Sequence, residues 1–76
     1  MIIYFLWKGD YRMFSLTERE MKVLELMTKG YSNTEIGEIL HISRHTAKSH
    51  VSTIIRKLGA TSRASATFLA GKQNLF

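Results

Sequence analysis

From residue 15 onward, apolar and polar positions follow a helical period, and each periodic stretch is bracketed by a start and a stop signal. Thr17 followed three residues later by Glu20 has the form of a capping box. Val23, Leu24 and Met27 then recur at helical spacing until Gly30, which suits the left-handed residue that ends a helix. Ser32 and Glu35 repeat the cap, with Ile36, Ile39 and Leu40 on one side, so a second helix of about two turns is predicted over Asn33–Leu40. His41 and Ile42 leave little room for a loop before Ser43 can cap again. A third helix runs through Thr46, Ala47, Val51, Ile54 and Leu58 to a stop at Gly59. Beyond Ala60, Thr61 and Ser62, Arg63–Gly71 offers a short fourth helix with Ala66, Leu69 and Ala70 apolar.

The first fourteen residues have a different pattern. "MIIYFLW" is a continuous apolar run that ends at Lys8, Gly9 and Asp10. A membrane span needs about 20 apolar residues, and a secretory signal needs a basic leader, so the run predicts neither. It is expected to form a short apolar N-terminal extension over residues 1–14, covering a core edge, a dimer contact or a partner. Residues 15–76 form the domain proper, and the expected fold class is all-α with four helices.

A short helix, a three-residue turn and a longer basic helix together make a helix-turn-helix. At about 100° per residue, Ala47, Val51, Ile54 and Leu58 fall in one stripe of the third helix, and this stripe is core whatever the function. His45, Ser49, Ser52 and Arg56 fall on the opposite side, flanked by Lys48 and Thr53. One face packs, and the other is free to enter a groove.

Charge sharpens this picture. The chain has 76 residues and a formal net charge of +5. All of the acids lie in the first forty residues, whereas residues 41–76 carry Arg44, Lys48, Arg56, Lys57, Arg63 and Lys72 against no acid. A charge run is usually only a solvated face, but a segregated basic half favours a polyanion, either nucleic acid or an anionic membrane surface. Small side chains on the outer face would let the backbone approach base edges, and an acid there would be repelled by phosphates.

Other chemistries find little support. The chain has no cysteine, which excludes disulfides and thiolate zinc sites, and the cytoplasm is the expected location. His41 and His45 have a four-residue spacing that could hold a metal, but no Cys or carboxylate lies close in sequence to complete a set. The histidines with Ser43 or Ser49 lack an acidic orienter in this half, and so small a chain offers little room for a pocket. Neither an enzyme nor a cofactor or metal site is expected.

The stretch "LTEREMKVLELMTKGYSNTEIGEILHISRHTAKSHVSTIIRKLGATSRASA", Leu16 to Ala66, strongly resembles the DNA-binding domain of LuxR-type transcription regulators. That group includes the FixJ and NarL response regulators and the small sporulation regulator GerE. The pattern is carried by Leu16, Thr17, Arg19, Glu20, Val23, Leu24, Gly30, Asn33, Glu35, Ile36, Leu40, Ile42, Ser43, Thr46, Lys48, His50, Ile54, Lys57, Leu58, Arg63 and Ala66. The chain departs from it at Lys22, Thr28, Gly37, Ala47 and Ala60. Gly37 stands inside the second helix where alanine is usual, at a cost of about 1 kcal/mol unless close packing requires it.

The resemblance implies a domain whose third helix reads the major groove and whose fourth helix forms a two-fold dimer contact, expected at Phe68 and Leu69. Arg44, His45, Lys48, Ser49 and Ser52 are the expected base-facing residues. Asn33, Thr34, Ser43, Thr46, His50, Thr53, Arg56 and Lys57 are expected at the DNA backbone. The expected function is sequence-specific binding of double-stranded DNA by a stand-alone, GerE-like regulator, as a homodimer, with RNA polymerase as a further candidate partner and no membrane. Two alternatives stay open: a protein-interaction module that docks an acidic partner, and a polymerase-associated factor resembling sigma region 4.

Overall fold

The computed structural model describes residues 15–72, so the arm expected over residues 1–14 and the C-terminal residues 73–76 lie outside the described residues. Four helices follow in order: α1 over Glu18–Thr28, α2 over Asn33–Leu40, α3 over Arg44–Lys57 and α4 over Arg63–Lys72. No strand occurs among the described residues. The all-α expectation is met.

The local signals act where the sequence put them. At α1 the Thr17 hydroxyl accepts the Glu20 N–H, and the Glu20 carboxylate accepts the Thr17 N–H. Ser32 and Glu35 close the same reciprocal pair at α2. Each such cap satisfies backbone donors that a helix start leaves unpaired, at about 1 kcal/mol. The stops at Gly30 (φ +89°) and Gly59 (φ +67°) are left-handed positions that glycine occupies without a steric penalty. Beyond them the Tyr31 and Ala60 N–H groups fold back onto the carbonyls of Leu26 and Ile55.

α3 is the central element and packs on α1, α2 and α4. Its stripe of Ala47, Val51, Ile54 and Leu58 is buried, joined by Val23, Leu24, Leu26 and Met27 of α1, Ile36 of α2, and Ala66 and Ala70 of α4. Ile39 departs from expectation: it is 41% exposed, because this short helix buries only the side that carries Ile36 and Gly37.

The α2–α3 turn consists of His41, Ile42 and Ser43. His41 caps α2 in the left-handed region (φ +60°, ψ 42°), an uncommon conformation for a residue with a Cβ. It therefore lies outside α3, and the four-residue spacing to His45 does not put the two imidazoles on one helical face. Among the described residues, no group of three or more His, Asp or Glu side chains could hold a metal. No described helix is long and apolar enough to cross a membrane.

Candidate nucleic-acid interface

Because one stripe of α3 is sunk in the core, the opposite side must face solvent. Arg44, His45, Lys48, Ser49, Ser52 and Arg56 are all exposed. His50 and Thr53 are half-buried on the flanks of this face, as is Asn33 at the start of α2, while Thr34 is exposed. Ser43, Arg44, His45 and Lys48 line a hollow of about 450 Å³ at the N-terminal end of α3. Arg44 also lines a second, polar hollow of about 370 Å³ with Tyr31, Ser32, Asn33, Thr34 and Arg63. The start of α3 and the start of α2 therefore meet at Arg44, which lines both hollows.

The start of α3 is held by its own side chains. Ser43 accepts the Thr46 N–H at 2.9 Å and donates its own proton to the Thr46 hydroxyl oxygen at 2.9 Å.

The cations of the basic half divide into two kinds. Arg44, Lys48 and Arg56 have no ion pair among the described residues and project from the outer face. Lys57, expected on the DNA backbone, points the other way: its ammonium donates to the Glu20 carboxylate at 2.9 Å and to the Ser15 carbonyl at 3.1 Å. Its side chain is only 25% exposed, and the Glu20 side chain 9%. The bond ties the end of α3 to the cap of α1, so a phosphate would have to compete for this ammonium. Burial disfavours the Glu20 charge, but hydrogen bonds from Lys57 and Thr17 and the Lys57 charge outweigh it and hold the carboxyl below its ordinary value.

Arg63 is a second internal tie, and residue patterning alone gave it no role. Its guanidinium donates to the Asn33 side-chain oxygen and to the Tyr31 carbonyl, joining the start of α4 to the start of α2. Asn33, expected at DNA, thus already has one partner within the fold. The one sequence signal for this pairing was that both residues belong to the family pattern. The proposed dimer residues also separate: Phe68 is 68% exposed, whereas Leu69 packs against the core.

Comparison with known proteins adds to this geometry. The family model described as "Bacterial regulatory proteins, luxR family" matches residues 14–70. The response regulator protein VraR of Staphylococcus aureus (strain Mu3 / ATCC 700698) is 50% identical over 60 residues, covering 79% of this chain and 29% of the relative. The proteins of the same name from Staphylococcus saprophyticus and Staphylococcus epidermidis match to the same extent. The chain thus spans less than a third of the length of these relatives. With most of its residues under the family model and the helix-turn-helix in place, the chain belongs to the luxR family of bacterial regulatory proteins, a family of DNA-binding transcription regulators rather than enzymes.

Proposed function

We propose that this chain binds double-stranded DNA sequence-specifically as a cytoplasmic transcription regulator, with α3 in the major groove and two copies on a two-fold site. The observation that carries the reading is the outer face of α3, exposed along its length, free of acids, and bearing three cations that have no ion pair among the described residues. The major groove, about 12 Å wide, admits a helix of this kind. Lys48, Ser49 and Ser52 lie mid-face, where they would meet base edges, with Arg44 and His45 at the entering end. Thr34, Ser43, Thr46, His50, Thr53 and Arg56 flank them and would meet phosphates, positioning the helix without reading sequence. Asn33 and Lys57 are left out of this set because the fold already uses them, the first with Arg63 and the second with Glu20.

The exposed Phe68 on α4 supports a second copy as the partner there, since a lone module of this size offers few groove contacts. Half-sites read by such a pair would lie about 10 bp apart. Phe68→Glu should leave folding intact and weaken binding of the second copy, which sedimentation on duplex measures; one protomer per specific site at saturation would defeat the dimer.

Titrating labelled duplex at several salt concentrations tests the function itself. Three cations per protomer without an ion pair among the described residues, each neutralising phosphate charge whether it contacts an oxygen or lies in the groove beside a base edge, give a logarithmic salt slope of about −3 for one copy and about −5 for two. An affinity that hardly changes with salt would exclude groove binding of this kind.

A further inference from the structure

We propose that Gly37, which lies on α2 away from the outer face of α3, is a positioning residue that sets the tilt of α3 and thereby which DNA sequences it accepts. This rests on the reading above, that α3 enters the groove.

A Cβ on Gly37 would lie 2.7 Å from the Ile42 carbonyl oxygen, 3.3 Å from the Ser43 carbonyl carbon and 3.4 Å from the Arg44 amide nitrogen. All three are main-chain atoms, so none can swing aside as a side-chain tip would, and the first lies well inside the roughly 3.5 Å at which non-bonded atoms rest. The same turn is pulled inward as well, because the Ile42 N–H donates to the Gly37 carbonyl at 2.9 Å. The left-handed His41 supplies the reversal that makes this approach possible. The turn is therefore seated directly on the α2 backbone.

The far end of α3 cannot follow a shift of this turn. Val51, Ile54 and Leu58 are buried, and Lys57 is tied to Glu20 and Ser15. A methyl group at position 37 must push Ile42 outward, and Ser43 and Arg44 with it, so the displacement becomes a tilt that grows toward the N-terminal end of α3. Arg44, His45 and Lys48 ride on that end. A binding constellation tolerates only about 0.5 Å of misplacement, so a movement of this size changes recognition while the core remains packed.

Gly71 provides the matched control, since it too lies in a helix but a Cβ there would meet nothing within 4 Å. Gly37→Ala and Gly71→Ala are compared with wild type by thermal unfolding, by backbone amide chemical shifts without DNA, and by selection from a random duplex pool followed by titration. Gly37→Ala is expected to stay folded, with shifts concentrated over residues 42–48, at least tenfold weaker binding to the wild-type's preferred duplex, a reordered set of selected sites and an unchanged salt slope. Gly71→Ala is expected to keep the wild-type ranking. Merely structural loss would weaken every duplex alike. The proposal is overturned if Gly37→Ala selects the same sites with affinity within twofold of wild type, or if it fails to fold, since the glycine then serves packing alone. If wild type shows no salt-dependent duplex binding, the DNA reading itself fails. The tilt is then judged on amide shifts, which sink it if they are absent or spread evenly over the chain.

Discussion

Lys57 and Lys48 are the same residue type on the same helix, nine positions apart, and the fold treats them in opposite ways. Lys48 stands exposed on the outer face with no ion pair among the described residues, while Lys57 is turned inward onto Glu20 and Ser15. Arg44 and Arg63 repeat the contrast, the first exposed, the second bonded to Tyr31 and Asn33. The six cations of residues 41–76 therefore overstate what is offered to a polyanion. Some of the basic half holds the helices together, and only the remainder faces outward.

The largest effect expected from this contrast is on stability. Lys57→Ala removes a charged hydrogen bond to a buried carboxylate and should cost about 1.5–3 kcal/mol. For a domain of this size that lowers the unfolding midpoint by roughly 6–24 °C, measurable by circular dichroism. A midpoint within about 2 °C of wild type would show that the inner cation holds nothing.

The same bond makes a smaller, pH-dependent contribution. Because the folded-state pKa of Glu20 is depressed, its stabilisation is fully present above the ordinary carboxyl value of 4.5 and is lost as pH falls through the folded value. Wild type should therefore lose stability in acid more steeply than Lys57→Ala, as denaturant midpoints collected from pH 7 down to about pH 3 would show. Parallel curves would detach Glu20 from Lys57.

On the outer face the effects move from folding to recognition. Ser49→Ala should leave the unfolding midpoint unchanged and alter the ranking of duplexes by about 1 kcal/mol, because a short hydroxyl meets a base edge or a bridging water. Site selection from a random pool reads this. Uniform weakening without reordering would move Ser49 off the base-facing side. Least of all should be the effect of Lys48→Ala on stability, within about 0.5 kcal/mol, as for an exposed side chain without partners.

How legible the molecule was follows from the range of each interaction. The caps at Thr17, Ser32 and Ser43 act over three residues, so the sequence displays both partners side by side, and every helix start appeared where expected. The buried stripe of α3 was likewise a matter of period. Lys57 and Arg63 could not be placed in this way, because their side-chain partners lie 37 and 30 residues away and depend on how α1 and α2 dock. Gly37 read as a helix-weakening residue, and only the tertiary approach of the Ile42 carbonyl gives it a reason. The family resemblance places both Phe68 and Leu69 at a dimer contact, yet one helical step separates an exposed ring from a side chain packed on the core.

The contrast between inner and outer cations is tested most directly by the salt dependence of duplex binding for wild type, Lys48→Ala and Lys57→Ala, measured below the unfolding range of all three. Lys48→Ala should reduce the logarithmic slope by about one per bound protomer, while Lys57→Ala keeps the wild-type slope. The reverse result, a slope reduced by Lys57→Ala and untouched by Lys48→Ala, would contradict the assignment of the outer face of α3 as the surface that meets DNA.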